Sequence, residues 1–290
     1  MFRKALIATD LSPASDRVIE YAATLRALGC QELVLAHVIF VKHTVGLSEA
    51  LQAEAAPQLA VQQERLAAMG FSVTTVMPVG VPGPELLTLA HAQECQFIVI
   101  GSHGHSLARE IALGGVATDV IHRADLPVLL VRMVIGEEAG ISQCRVSAGA
   151  VCDHILYATD FSNTAERAFS YVESLVQHAC HHVTVMHVQD CTRIAPQPEA
   201  RLAEFNAVDR ARLERLQRRL LDLGAEQVDV ALPYGHPAQE VLAMAEREYV
   251  SLIVMGTHGR GFINDLFAGS VSHIVVRLSP VPVLLIPPIQ

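Results

Sequence analysis

Two glycine-rich stretches of similar spacing hold the residues of this sequence whose types could do chemistry. One is GTHGRGFINDLFAGSV at 256–271, and the other is GSHGHSLAREIALGGV at 101–116. Each follows a short apolar run and precedes another apolar segment. Glycine lets a backbone approach a ligand where a Cβ would intrude, and a helix N-terminus offers free N–H groups to phosphate oxygens. Phosphate binding is therefore one interpretation, and a tight turn with Ser270 as a helix cap is the other.

The two stretches occupy equivalent places in a duplicated chain. Residues 6–38 align without a gap on 156–188, and residues 80–105 align on 235–260. A repeat of this length is far too long for a solenoid and indicates two whole domains of one fold. We predict a first domain at 1–136, a linker at 137–150 and a second domain at 151–290.

Each copy alternates short apolar runs with helical segments. In the first copy the predicted strands are ALIATD, LVLAHVI, SVTTVMP, FIVIG and PVLLV. A long helix is predicted between the second and third strands, with Pro57 interrupting it or marking a late start. Continuous apolar strands separated by helices predict a parallel sheet covered on both faces. The expected fold class is therefore α/β: two tandem Rossmann-like (flavodoxin-like) domains, each a five-stranded parallel sheet with helices on both faces. Such sheets bind ligands beyond the carboxyl ends of their strands.

Two further features lie at those carboxyl ends. Asp160 follows the first strand of the second copy, and Asp10 is its partner in the first. An acidic residue there suits a ribose hydroxyl or a metal ion, but it could equally cap the next helix. The second strands end in His-Val, at His187-Val188 and at His37-Val38. Backbone groups of such a strand end can contact a base edge, whereas the histidine could be structural.

Charge and length exclude several classes of partner. The net charge is −9, and neither half has a basic excess, so nucleic acid is not an expected partner. The densest basic group lies on a predicted helix among acidic residues and is interpreted as a solvated face. No apolar run reaches the ~20 residues of a membrane span, and the N-terminus has no signal-peptide core, so we expect a cytoplasmic protein without a membrane partner. The basic group comprises Arg210, Arg212, Arg215, Arg218 and Arg219.

The cysteines and the other well-known motifs point to no metal or catalytic centre. The six cysteines form no CxxC pair, and HACHH at 178–182 is interpreted as an exposed connection because no complementary ligand pair is evident. There is no GxxxxGK[ST] loop, no GxGxxG after the first strand, no GxSxG and no HExxH. No catalytic residue and no metal ligand is therefore predicted; His258, Asp160 and Asp265 are candidates for a base only by position.

The spacing G-2x-G-9x-G-[S/T] before the final PVLLI strand resembles the universal stress protein family. The ATD start and the HV strand end match as well, so the chain is similar to a tandem member of that family. The resemblance implies an adenine nucleotide, ATP or ADP or AMP, in the second domain, with Mg²⁺ accompanying a triphosphate. The site residues that it implies are Ala158, Asp160, Val188, Gly256, His258, Gly259, Gly269, Ser270, Val271 and Ser272.

The first domain departs from this pattern at two positions. Gly115 stands where the family has Ser or Thr, and Ala117 replaces a second hydroxyl residue. At ~1 kcal/mol per neutral hydrogen bond, losing both hydroxyls predicts binding weaker by about fivefold to thirtyfold. The residues implied for this weaker site are Asp10, Val38, Gly101, His103, Gly104, Gly114 and Gly115.

Three functions compete at this level. The favoured one is an adenine-nucleotide-binding stress or regulatory protein whose occupancy tunes partner binding or assembly. A slow ATPase or phosphotransfer enzyme is the second, and an interaction module without nucleotide is the third. The resemblance further implies that the PVLLV and PVLLI strands pair within one chain as a pseudo-dimer, and it leaves a homodimer open.

Overall fold

In a computed structural model of the chain, two compact units follow one another, Met1–Ala148 and Gly149–Gln290. Each unit has its own parallel sheet and its own helices. The ranges that the structure describes are 2–40, 47–102, 113–138, 141–146, 151–194, 199–259 and 269–289.

The sheet of the first unit has five parallel strands in the order β5-β4-β1-β2-β3. Strands β1, β2, β4 and β5 are almost wholly buried, as expected when helices cover both faces of a sheet. The strands are β1 (Lys4–Ala8), β2 (Glu32–Ala36), β3 (Ser72–Val76), β4 (Phe97–Gly101) and β5 (Val128–Val131).

Four helices connect these strands. The first begins after Ser12, whose hydroxyl accepts the Ser15 N–H, with proline at the first helical position. The order of the strands, together with right-handed crossovers, places two helices on each face of the sheet. The helices are α1 (Pro13–Tyr21), which continues into a 3-10 turn at Ala22–Arg26, α2 (Leu47–Ala68), α3 (Pro82–Ala92) and α4 (Gly115–Arg123).

The expected break at Pro57 does not occur. Helix α2 runs through Pro57 from Leu47 to Ala68. Pro57 lies on the exposed face of the helix, where water can serve the carbonyl oxygen that loses its N–H partner. The prediction of an interruption was therefore wrong.

An antiparallel hairpin follows the fifth strand of the first unit. Its strands are β6 (Met133–Glu138) and β7 (Ile141–Val146), paired from Met133↔Val146 to Glu138↔Ile141. Strand β7 lies within the segment expected to be a linker.

The second unit repeats the arrangement, with the strand order β11-β9-β8-β13-β14. Its central strands are again buried along their length. A two-residue parallel pair, β10 (Gln189–Asp190) with β12 (Tyr234–Gly235), extends the carboxyl edge of this sheet. The main strands are β8 (Ile155–Ala158), β9 (His182–Met186), β11 (Gln227–Ala231), β13 (Leu252–Gly256) and β14 (Val283–Ile286).

The helices of the second unit begin as those of the first do. The Ser162 hydroxyl accepts the Ala165 N–H at the start of α5, and Gly269 precedes α9. The carboxyl ends of β8, β9 and β13 therefore open towards the N-termini of the helices that follow them. The helices are α5 (Asn163–His178), α6 (Cys191–Ile194), α7 (Glu199–Asp222), α8 (Pro237–Arg247) and α9 (Ser270–Leu278).

Candidate functional site

A cavity of about 740 Å³ lies at the carboxyl ends of β8, β9 and β13 in the second unit. The three strand ends form its floor, and parts of α7, α8 and α9 border it. All of the site residues predicted for the second domain line this cavity: Ala158, Asp160, Val188, Gly256, His258, Gly259, Gly269, Ser270, Val271 and Ser272.

The N-terminus of α9 presents unpaired donors to the cavity. Gly269 precedes the helix in an extended conformation, and its own N–H donates to the Thr257 carbonyl oxygen at 2.8 Å. The first bond of the helix runs from the His273 N–H to the Gly269 carbonyl oxygen. The three peptide N–H groups between them, from Ser270 to Ser272, have no acceptor within the described part of the chain. With no acidic residue in the first turn, this helix end is suited to an anion.

The two serines of this helix end have different roles. Ser272 is 4% exposed, and its hydroxyl lies 2.8 Å from each of two carbonyl oxygens, those of Thr257 and Gly269. Its single proton is therefore committed to the backbone, and it fixes the loop rather than donating to a ligand. The exposed Ser270 hydroxyl has no partner among the described residues and is free to donate.

Two glycines bring the loop after β13 close to its neighbours. A Cβ on Gly259 would lie 2.6 Å from Asp160 Oδ2, and one on Gly256 would lie 2.9 Å from Thr164 Cγ2. Any side chain at either position would have to displace these atoms. Glycine thus allows the end of β13 and the loop after it to approach the β8–α5 loop and the start of α5 without displacing a side chain.

Asp160 accepts a hydrogen bond at the start of helix α5 and also faces the loop after β13. Its Oδ1 accepts the Ser162 N–H at 3.0 Å, as a residue that caps a helix start does. Its Oδ2 is the atom nearest to the position that a Cβ on Gly259 would take. Beside it, Thr257 Oγ1 lies 2.8 Å from His258 Nδ1, which orients the His258 ring at the cavity.

The histidine at the end of the second strand is structural in both units. His187 Nδ1 donates to the Thr159 carbonyl oxygen at 2.7 Å, and His37 Nδ1 donates to that of Thr9 at 3.0 Å. The following residue, Val188, keeps both its N–H and its carbonyl oxygen without a partner among the described residues. This peptide edge is open to a ligand.

Helix α7 forms one wall of the cavity, which the sequence did not predict. Its 24 residues make it about 36 Å long, whereas a five-residue strand spans about 17 Å, so its N-terminal half projects beyond the sheet edge. Arg212 lines this wall, with its guanidinium 5.2 Å from the Phe161 ring. The interpretation as a solvated face holds for the other arginines of the basic group, but not for Arg212. The α7 residues at the cavity are Glu204, Phe205, Val208, Asp209 and Arg212.

Negative charge dominates the described lining of this cavity. Four carboxylates face a single guanidinium there, that of Arg212. Such a surface disfavours an anionic ligand unless backbone dipoles, donors or a cation offset the charge. The carboxylates belong to Asp160, Asp190, Glu204 and Asp209.

The corresponding cavity of the first unit is smaller, about 290 Å³. Within the described ranges no residue of α2 lines it. Instead, Gln62 is buried and accepts the Thr9 hydroxyl at 2.8 Å, which holds α2 against the end of β1. Of the residues predicted for this site, Asp10, Val38, Gly101, Gly114 and Gly115 line the cavity, whereas His103 and Gly104 fall outside the described residues.

The first unit also uses its aspartate differently. Asp10 Oδ1 accepts from the Ser12 N–H at 3.1 Å and from the hydroxyls of Ser12 and Ser15, each at 2.5 Å. Ala165 replaces Ser15 in the second unit. Asp10 is thus held more tightly by its own helix start than Asp160 is.

Comparison with known proteins decides the family. Residues 1–132 and 152–287 both match the universal stress protein family. The chain belongs to this family. It is 25% identical over 300 residues to a universal stress protein of Mycolicibacterium smegmatis, an alignment that covers 98% of this chain and 96% of that protein. The predicted family is therefore confirmed.

Shorter relatives and a solved structure agree with this assignment. A universal stress protein of Thermus aquaticus is 36% identical over 138 residues, which cover 46% of this chain and 96% of that protein. The crystal structure of a universal stress protein from Archaeoglobus fulgidus matches with a TM-score of 0.77 at 25% identity, over 98% of each chain. The predicted fold class is confirmed as well.

The histidine-rich segment of this universal stress protein forms local contacts. His182 Nε2 lies 2.8 Å from Asp229 Oδ2, His181 lies 3.8 Å from Glu226, and Cys180 is buried. Burial acts to raise the pKa of Asp229, but hydrogen bonds from His182 and Gln227 hold it below its usual range. In the described part of the chain, no three His, Cys, Asp or Glu side chains are placed to hold a metal ion. No helix there has both the length and the apolar character needed to cross a bilayer.

Proposed function

We propose that this protein binds an adenine nucleotide, mainly in its second unit, and that nucleotide occupancy alters its assembly or its binding to a protein partner. One observation carries the proposal. Three peptide N–H groups and the Ser270 hydroxyl, all without partners among the described residues, meet at the border of a cavity of about 740 Å³. Donors gathered at a helix N-terminus suit phosphate oxygens.

The remainder of the nucleotide would follow the sheet edge from α9 towards β9. The ribose would lie beside Asp160 and Gly259, where glycine keeps the two loops close together. The base would meet the open peptide edge of Val188. Ala158, Gly256 and His258 would complete the contacts at the ends of β8 and β13.

The charge of the lining favours a cation with a triphosphate. Four carboxylates line the cavity that ATP would enter, and Arg212 is the only arginine or lysine among the described lining residues. Mg²⁺ is usually bound through one or two carboxylates together with substrate phosphates. ADP and AMP carry less charge and would need the cation less.

Nucleotide carried through purification provides the first test. Mass spectrometry of denatured protein should release ATP, ADP or AMP, and titration of the stripped protein with ATP should reach saturation. Ser270→Ala should weaken ATP binding by about fivefold, the value of one neutral hydrogen bond. No bound nucleotide and no saturation at millimolar ATP would overturn the proposal and favour an interaction module without nucleotide.

Single-turnover assays separate binding from catalysis. Two of the candidate bases are engaged elsewhere, Asp160 by the Ser162 N–H and His258 by Thr257, while Asp265 lies outside the described residues. We expect no turnover faster than that of free ATP. Hydrolysis that Asp160→Ala abolishes while ATP still binds would identify a slow ATPase or phosphotransfer enzyme instead.

Assembly completes the proposal. The proposal includes pairing of the PVLLV and PVLLI strands as an intrachain pseudo-dimer, and it leaves a homodimer of the whole chain open. It also includes a cytoplasmic location without a nucleic-acid partner. Light scattering with and without ATP measures whether occupancy changes the oligomeric state. An unchanged mass and unchanged partner binding at saturating ATP would contradict the regulatory part alone.

A further inference from the structure

Gln189 and helix α7 lie at the end of the second-unit cavity that is farthest from α9 along the sheet edge. Helix α9 follows β13, and Gln189 follows β9, with β8 between these two strands. Neighbouring strands lie ~4.8 Å apart, so the two ends are separated by about 10 Å. A ligand whose phosphate lies at α9 therefore presents its opposite end to Gln189.

Gln189 is buried and directs a hydrogen-bond acceptor to the cavity. It is 5% exposed, and its peptide N–H donates to the Pro233 carbonyl oxygen at 2.9 Å, which fixes the backbone. Its side-chain Nε2 points to Asp209 Oδ2 at 3.4 Å. Because the amide nitrogen faces Asp209, the carbonyl oxygen Oε1 remains as an acceptor, and no donor among the described residues reaches it.

Asp209 adds a carboxylate that its surroundings leave poorly satisfied. Its side chain is 16% exposed, and the cationic or imidazole groups nearest to it, Arg212 Nη1 and His187 Nε2, each lie 3.8 Å away. Both distances exceed that of a good hydrogen bond. His187 donates through Nδ1 to the Thr159 carbonyl oxygen, so this nitrogen is not available to Asp209 or to a ligand. Beside the Val188 N–H and the Arg212 guanidinium, this end of the cavity thus offers three acceptors, Gln189 Oε1, the Asp209 carboxylate and the Val188 carbonyl oxygen. These acceptors suit a ligand that supplies donors.

We infer that Gln189 and Asp209 select a nucleotide whose purine base carries an amino group at position 6 over one that carries an oxo group there. A 6-amino group has two protons, of which one can go to the open Val188 carbonyl oxygen and the other to Gln189 Oε1 or Asp209. A 6-oxo group has none, and its oxygen would face acceptors. This inference rests on the proposed nucleotide site and adds the residues that decide which base it takes.

The first unit supplies a matched position without this chemistry. Ile39 is also buried, and its N–H donates to the Pro78 carbonyl oxygen at 2.8 Å, as Gln189 donates to that of Pro233. The backbone is therefore the same, and only the side chain has lost its acceptor. Ile39 offers a control for any effect of altering this position that is unrelated to the second-unit site.

The test compares ATP with inosine triphosphate, whose base has an oxo group at position 6 and, with it, a proton on N1. The full chain is titrated with each nucleotide as wild type, Gln189→Met and Ile39→Met. We expect the wild type to prefer ATP by at least about tenfold, since a site built to bond an N–H rejects the analogue that lacks it. Gln189→Met should lose most of this preference through weaker ATP binding, and Ile39→Met should keep it.

Three other results of these titrations would contradict the inference, each in a different way. Equal wild-type affinities for the two nucleotides would overturn it while leaving the proposed function intact. Equal losses for both nucleotides in Gln189→Met would show a packing role only. If Gln189→Met does not fold, Asp209→Asn is used, which should also narrow the preference. If the wild type binds neither nucleotide, the proposed function and the inference both fail.

Discussion

The N-termini of α4 and α9 share a backbone and differ in side chains. Gly114 has φ −59° and ψ 146°, and Gly269 has φ −55° and ψ 147°. Each donates its N–H to the carbonyl oxygen of the residue after the preceding strand, at 2.9 Å and 2.8 Å. Duplication has thus kept the geometry that presents peptide N–H groups, while the second unit alone adds a free hydroxyl, at Ser270.

The difference between the units is larger at the far end of the cavity than at the helix. The second cavity is about 740 Å³ and the first about 290 Å³, and α7 borders only the larger one within the described ranges. At the strand end, Gln189 and Asp190 replace Ile39 and Phe40. In the proposed site the helix end would hold the phosphate, and the far wall would contact the rest of the ligand.

Substitution of Gly259 should have the largest effect on the second site. In Gly259→Ala the new Cβ would lie 2.6 Å from Asp160 Oδ2, so the carboxylate or the loop must move. Overpacking of this kind costs about 1–3 kcal/mol, and we expect nucleotide affinity to fall by about tenfold or more. Calorimetric titration with ATP measures the change.

Gly115→Ala is the matched control for that variant. A Cβ at Gly115 meets no atom within 4 Å. Thermal stability should therefore be unchanged, and ATP affinity should stay within about twofold of the wild type, because no neighbour has to move. If Gly259→Ala binds ATP as tightly as Gly115→Ala does, the close approach of the two loops is not what shapes the site.

Exchange of Ser270 and Gly115 should reverse part of the difference in nucleotide affinity between the units. At the helix N-terminus only one free hydroxyl distinguishes the units, because Ser272 is bonded to the backbone. This helix end should therefore contribute a difference in affinity of about fivefold and not thirtyfold. Ser270→Gly should weaken the stronger site by about that factor. Gly115→Ser should strengthen the weaker one, since the added side chain has room.

The exchange is followed by titration of the full chain, fitted with two sites. A double variant carrying both substitutions should bring the two affinities closer together. If Ser272→Ala weakens ATP binding as much as Ser270→Gly does while thermal stability is unchanged, Ser272 contacts the ligand after all, and the original two-hydroxyl estimate holds.

Local pattern was enough to predict the five strands of the first parallel sheet and the start of α9, but not the hairpin β6–β7 or the short pair β10–β12. Apolar runs, caps and glycine spacing are properties of neighbours in the chain, and α9 begins at Ser270 as expected. The sequence also placed the ten second-domain residues at one sheet edge, because parallel strands share the position of their carboxyl ends.

The remaining features depend on contacts that no local pattern records. Arg212 and Asp209 reach the cavity because α7 is longer than the strands it covers, and a basic helix segment gives no sign of that. The commitment of the Ser272 hydroxyl depends on the fold of its own loop. Pro57 is tolerated because its face of α2 is exposed, which required knowing which side packs.

The smallest predicted contrast between the units is in their response to acid. In the second unit the His154 ring stacks on that of His182 with centroids 3.6 Å apart, and its two nitrogens contact Glu248 and Thr184. Burial, and next to it the neighbouring His182, lower the pKa of His154 despite the Glu248 carbonyl. The first unit has Lys4 at the equivalent position.

The lowered pKa of His154 sets the direction in which the free energy of unfolding changes with pH. The folded state favours neutral His154, whereas the unfolded chain takes up a proton near the ordinary pKa of about 6.5. The contribution of neutral His154 to stability is therefore complete above that pH and is lost as the pH falls towards the folded-state pKa.

Urea unfolding at a series of pH values measures this effect. On acidification, His154→Asn should lose less stability than the wild type, since the asparagine can still donate to the Glu248 carbonyl oxygen but does not titrate. His181→Asn, at an exposed neighbouring histidine, should follow the wild type, and parallel curves for all three proteins would mean that the buried ring is not the source of any acid sensitivity.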